Sequence, residues 1–132
     1  MKEQLDALTK EIIGSAIDVH RVLGPGLLES SYEACFACEL LERRLSFERQ
    51  KEMPIVYKGR SLSCGYRIDF LVERLIVVEL KAVEQLDPVH TAQVISYLRL
   101  SGCSVGLLIN FNVKWLRNGG IKRIVSGFED DR

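Results

Sequence analysis

The chain lacks net charge: 18 Lys and Arg side chains balance 18 Asp and Glu over 132 residues. That balance argues against strong non-specific binding to long nucleic acid, which draws on a positive surplus. The sequence also lacks any apolar run long enough to span a bilayer. Its N-terminal segment is charged and helix-like, so it does not read as a signal peptide, and a cytoplasmic protein without membrane partners is expected. Internal repeats, low-complexity tracts and signs of a second domain are missing too. A single domain over 1–132, with a core of its own, fits this length. Of the four cysteines, Cys35 and Cys38 share a helical face, but no second close pair completes a zinc-ribbon spacing. Buried, reduced thiols are therefore expected.

The charge that is present is uneven. Residues 1–40 sum to −4, residues 41–81 to +3 and residues 82–132 to +1. Lys114, Arg117, Lys122 and Arg123 form a basic stretch without intervening acids. It suits phosphate contact or, equally, a solvated surface segment.

Hydrophobic periodicity outlines the elements. Leu5, Leu8, Ile12, Ala16, Val19 and Leu23 recur at helical spacing until Gly24-Pro25-Gly26 breaks the pattern. His20, near that end, reads as a surface or capping histidine more readily than as a functional one. A second helix is expected from about 28 to 44, with Glu29 leading the stripe Tyr32, Phe36 and Leu40. Glu29 either favours the positive helix N-terminus or is presented to a site, and the pattern alone does not choose. Met53–Tyr57 and Arg60–Cys64 read as strands around a Lys58-Gly59 turn. Asp87-Pro88 opens a third helix that ends near Gly102. Val105–Asn110 then reads as a buried strand, parallel to the one before the helix. Ile121–Val125 adds an edge strand, and 126–132 is a polar tail. The fold class is α/β: a mixed central β-sheet flanked by helices.

Two apolar strand-like runs, Tyr66–Val72 and Leu75–Lys81, carry the residues of greatest chemical interest. Asp69 sits in the first, and Glu79 and Lys81 in the second. Burying an unpaired charge is costly, so such strands should avoid carboxylates unless something compensates them. A divalent metal does so, and Lys81 shares a sheet face with Glu79. Asp69 and Glu79 are hard oxygen ligands suited to Mg2+, with Mn2+ as a substitute. The metal would offset charge in a phosphoryl transition state and promote hydroxide formation. Lys81 would orient or activate the attacking water. Gln93 and Tyr97, one helical turn apart, would contact water or substrate, or simply pack on the sheet. Register makes this checkable. A two-residue turn at 73–74 would put Asp69 and Glu79 on opposite faces; a three-residue connection through Leu75, pairing Val72 with Ile76, sets them opposite one another, and that odd register or an equivalent bulge is expected.

Gly26-Leu27-Leu28-Glu29-Ser30-Ser31-Tyr32 resembles the signature of the GxxExxY family of small bacterial and archaeal proteins. The likeness continues through Val19-His20-Arg21, Gln50, Tyr66–Val72, Val78–Ala82, His90–Leu98 and Gly106–Phe111, covering most of 8–125. That family is grouped with the PD-(D/E)xK nuclease-like superfamily. The resemblance implies a restriction-endonuclease-like core, with Asp69 as the motif aspartate and Glu79 and Lys81 as the ExK pair. Gln93 and Tyr97 match the QxxxY helix motif of the exonuclease-like branch, and Glu29 its early acidic residue. Ile68 stands where the motif has proline. The implied metal set is Asp69, Glu79, Glu29 and Leu80, whose only oxygen is its main-chain carbonyl. The implied function is hydrolysis of phosphodiester bonds in DNA, ahead of RNA, with a homodimer as one expected assembly. A non-catalytic domain binding nucleic acid or protein on the same fold is the alternative.

Overall fold

A computed structural model describes residues 1–126. Of the expected polar tail, only Ser126 lies among them. The elements run α1 (Lys2–Leu23), α2 (Glu29–Glu42), β1 (Phe47–Glu52), β2 (Ile55–Tyr57), β3 (Arg60–Leu62), β4 (Arg67–Val72), β5 (Ile76–Lys81), α3 (Pro88–Ser101), β6 (Val105–Asn110) and β7 (Ile121–Val125). Five strands form one sheet in the order β1-β4-β5-β6-β7, and β2 and β3 form a separate hairpin. Only β5 and β6 are parallel, joined through α3; every other neighbour in the five-stranded sheet is antiparallel. This is the mixed, helix-flanked sheet that the sequence implies. Among the described residues, no helix is long and apolar enough to cross a membrane.

The two helical layers follow from strand alternation. Ile76, Val78 and Leu80 of β5 share a core with Ile12, Ala16 and Val19 of α1 and Tyr32, Phe36 and Leu40 of α2. Val77 joins Val94, Tyr97 and Leu98 of α3 on the other face. Both faces of β5 and β6 are therefore buried, as a parallel pair requires. At the α3 face the layers touch closely: a Cβ placed on Gly106 would lie 2.6 Å from the Val94 side chain.

The β4–β5 connection decides which residues meet. Glu73 and Arg74 both adopt left-handed backbone, with φ of 53° and 56°, and Leu75 N–H returns to the Val72 carbonyl at 2.9 Å. Val72 consequently pairs with Ile76, the odd register expected above. Glu73 also ties the turn to the end of the preceding loop: its carboxylate accepts the Ser46 N–H at 2.6 Å and the Ser46 hydroxyl, which holds the Glu73 carboxyl below its ordinary range.

One strand goes beyond the expected set, and three expectations need correction. The run Phe47–Glu52 is a strand that the alternation rule passes over, because its sequence, FERQKE, is mostly charged. It forms through backbone pairing to β4 at the sheet edge, where charged side chains remain in water. The strand expected over Met53–Tyr57 is cut by Pro54, so Met53 is buried near β4 while only Ile55–Tyr57 enters the hairpin. His20 is neither exposed nor a cap: it is buried, with Nε2 2.7 Å from the Val113 carbonyl. The cysteines also divide, Cys103 being buried, Cys35 half-buried and Cys38 and Cys64 exposed, all as free thiols.

Gly106→Ala should destabilise the fold by about 1–3 kcal/mol through overpacking. Adding Val94→Ala should recover part of that loss, because it removes the atom the new methyl meets. Urea unfolding of the two single variants and the double variant measures the coupling; strict additivity would show that the close approach is not the cause.

Candidate active site

The β4–β5 ladder runs from Val72–Ile76 to Phe70–Val78 and then stops. One step further, the strands exchange side chain for main chain. Glu79 Oε2 accepts the Asp69 N–H at 2.7 Å, and Asp69 Oδ2 accepts the Leu80 N–H at 2.9 Å. Each carboxylate thus satisfies a backbone donor on the other's strand, a donor that would otherwise be orphaned where the ladder ends. Asp69 is also skipped in the ladder to β1, where Arg49 pairs with Phe70 and Lys51 with Ile68. Opposite it, Gln50 is forced into left-handed backbone at φ 54°. A non-glycine residue in that region is strained, at about 1 kcal/mol or more. Its side chain faces the site: Gln50 Nε2 donates to Asp69 Oδ1 at 3.3 Å and also to Glu33.

Lys81 follows Glu79 onto the α3 side of the sheet. Lys81 Nζ donates to Gln93 Oε1 at 3.3 Å, and Gln93 Nε2 reaches the Tyr97 hydroxyl at 3.5 Å. The one-turn spacing of Gln93 and Tyr97 therefore makes a short polar chain behind the lysine. The two side chains also line a cavity of about 620 Å³ between α3 and the β2–β3 hairpin. On the other side, Glu29, Glu33, Gln50, Asp69 and Leu80 border a smaller cavity of about 160 Å³. Glu29, the first residue of α2, sits at that helix N-terminus and borders this cavity. The side chain of Leu80 is fully buried, leaving only its main chain to take part.

Burial and repulsion dominate the electrostatics. Glu79 is 2% exposed, and its pKa rises from 4.5 to about 8, first through burial and then through Asp69; the Asp69 N–H and Lys81 oppose the shift. Asp69 is raised chiefly by burial, against the Leu80 N–H and Lys81, which lower it. Burial also raises Glu29, with Lys81 as the main counterweight. Tyr97 is raised by burial and by both carboxylates.

Two desolvated carboxylates that repel each other, beside a lysine, make a donor set that fits a hard divalent cation. Among the described residues, no three His, Cys, Asp or Glu side chains are gathered closely enough to hold a metal unaided. The set is therefore centred on Asp69 and Glu79, with Glu29 at its border. Sequence reasoning missed Glu33 as a site residue and left Gln50 without a role. Glu33 lies one turn after Glu29, a spacing that puts both on one helical face and could have flagged it. Asn110 was missed as well. It is buried at the end of β6, and its amide clasps the backbone of Val83 just past Lys81, accepting the N–H at 3.1 Å and donating to the carbonyl at 3.0 Å.

A mixed sheet that splays at a carboxylate pair, with Glu-x-Lys on the central strand and a Gln–Tyr pair on the following helix, defines a nuclease-like domain. The chain matches the model of the PD-(D/E)XK nuclease superfamily over residues 6–124 and belongs to that superfamily. No curated protein matches it, and no solved structure does.

The site carries its own pH signature. A carboxyl whose pKa is raised in the folded state contributes stability that is complete below pH 4.5 and lost as pH rises toward about 8. Metal-free protein should therefore lose stability across that window. Glu79→Gln should flatten the slope and stabilise the fold at pH 8.5 by on the order of 2 kcal/mol. Urea unfolding in EDTA at pH 5 and pH 8.5 tests this, and equal slopes for the two proteins would refute it.

Proposed function

We propose that this chain is a divalent-metal-dependent nuclease of the GxxExxY type, a single cytoplasmic domain that hydrolyses phosphodiester bonds in DNA. The observation that carries this reading is the exchange between Asp69 and Glu79, which brings two carboxylates together at the point where the strands part, with Lys81 alongside. Asp69, Glu79, Glu29 and the Leu80 carbonyl would hold Mg2+ or Mn2+. When bound, that cation supplies Lewis acidity toward the phosphate and lowers the pKa of water. Lys81 places a positive charge where negative charge builds on the phosphate, and orients the attacking water. Gln93 Oε1 accepts one N–H of the lysine ammonium and so fixes its direction, and Tyr97 supports Gln93 by accepting from its amide. Gln50 holds the Asp69 carboxylate from the edge strand. A homodimer would let two such sites address two strands.

Zero net charge favours a second reading, a binding domain that keeps the fold without catalysis. The two readings separate in a calorimetric titration of Mg2+ and Mn2+, with DNA and RNA cleavage assayed on the same samples. The nuclease reading expects metal binding and cleavage in the wild type, and Asp69→Ala should abolish both. Lys81→Met should keep metal binding and lose at least about 100-fold in cleavage rate. Nucleic-acid binding that ignores chelation and Asp69→Ala, with no cleavage by the wild type, would establish the binding domain instead.

A further inference from the structure

Away from the carboxylate site, a further feature lies at the corner where α1 gives way to α2. A cavity of about 500 Å³ opens there, with Ile17 and Leu116 in its apolar lining and Arg21, Lys114, Trp115 and Arg117 around it. Trp115 is 64% exposed, although the loop that carries it is firmly held. Leu116 beside it is buried, the Trp115 carbonyl accepts the Asn118 N–H at 3.0 Å, and the Leu116 carbonyl accepts the Gly120 N–H at 3.0 Å. His20 grips the Val113 carbonyl, and Phe111 stacks on Tyr32 with ring centroids 4.5 Å apart. An indole face left in water on an anchored loop awaits a flat partner.

The charge around it is of one sign. Lys114 Nζ lies 5.8 Å from the Trp115 ring centroid. Among the described residues, neither Lys114 nor Arg117 has a carboxylate partner, whereas Arg21 shares Asp18 at 3.4 Å while staying largely exposed. The other half of the basic stretch is engaged elsewhere: Arg123 pairs with Asp6, and Lys122 donates to the Thr91 hydroxyl. The structure thus divides one basic run into a structural half and an available half.

Each wall of the cavity is tied along the chain to a residue of the candidate site. Gly24, on one wall, accepts the Tyr32 hydroxyl through its carbonyl at 2.6 Å, and the chain from there enters α2 at Glu29. On the other wall, the loop begins at Phe111, whose N–H donates to the Lys81 carbonyl at 2.9 Å. We propose that this cavity is a subsite for single-stranded polynucleotide, in which Trp115 stacks on one unpaired base while Lys114, Arg117 and Arg21 meet the adjoining phosphates. The proposal rests on the phosphodiesterase reading and names its substrate class. In a duplex both faces of each base are already stacked, so an exposed indole selects unpaired strands or frayed ends. A local basic rim on a neutral protein suits short single-stranded segments better than long duplex.

Trp115 is the sole tryptophan of the chain, so its fluorescence reports the contact directly. Oligothymidylate and oligouridylate of about 12 residues, and a duplex of the same length, would be titrated into metal-free wild type in EDTA. Either single strand should quench Trp115, and a preference between them identifies DNA or RNA as the source. Trp115→Ala should weaken single-strand binding about tenfold, Trp115→Phe should retain most of it, and duplex binding should be weaker and indifferent to both. Lys114→Ala with Arg117→Ala should lower the salt slope by about 1 to 2. Unquenched Trp115, unchanged affinity in Trp115→Ala, or equal binding of duplex and single strand would overturn the subsite. Quenching by single strands in a protein that never cleaves them with Mn2+ would uphold the subsite and remove the nuclease reading. Cleavage that neither quenches Trp115 nor responds to its loss would do the reverse.

Discussion

A buried and a half-buried carboxylate, Glu79 and Asp69, each accept a backbone N–H from the other's strand, and the rest of the structure is arranged around that exchange. Where the β4–β5 ladder ends, Asp69 N–H and Leu80 N–H would be left without sheet partners, and a buried donor left unpaired is expensive. Glu79 and Asp69 are equally expensive to bury without donors. Each problem solves the other, so the strands can part and still leave no buried group unsatisfied. Among the described residues, no buried side-chain nitrogen or oxygen lacks a partner.

The surroundings serve this arrangement from several directions. The left-handed pair Glu73-Arg74 sets the register, and one residue more or less in that turn would send Glu79 to the other face of the sheet. Gln50 accepts a strained backbone to reach Asp69, while α3 delivers Gln93 to Lys81. Gly106 permits α3 to approach the sheet closely, so the depth of that helix, and with it the position of Gln93, depends on an absent side chain. Electrostatics then work against the fold. Burial raises the proton affinity of both carboxylates, Asp69 raises that of Glu79 further, and Lys81 offsets only part of it.

The 111–120 loop shows how tertiary contacts sort side chains that look alike in sequence. Lys114, Arg117, Lys122 and Arg123 read as one strip, yet β7 carries the last two to Thr91 and Asp6, far along the chain. The first two remain beside an exposed indole because His20, Leu116 and Phe111 pin the loop from beneath. His20 was misread for the same reason: its partner, Val113, is 93 residues away.

The sequence by itself determined the helices, the buried strands and the presence in them of Asp69, Glu79 and Lys81. These are local matters: periodicity, breakers such as Gly24-Pro25-Gly26, and charges standing where an apolar strand should carry none. Only the tertiary structure decided that the charged run Phe47–Glu52 is a strand, because an edge strand is held by its backbone and leaves little trace in side-chain pattern. It alone placed Gln50 and Glu33 against Asp69, since the strain at Gln50 arises from a ladder it shares with a distant strand. It also set Glu29 at the border of the small cavity and divided the basic stretch. A charge announces its cost in sequence, but what compensates that charge is fixed by which surfaces the folded chain brings together.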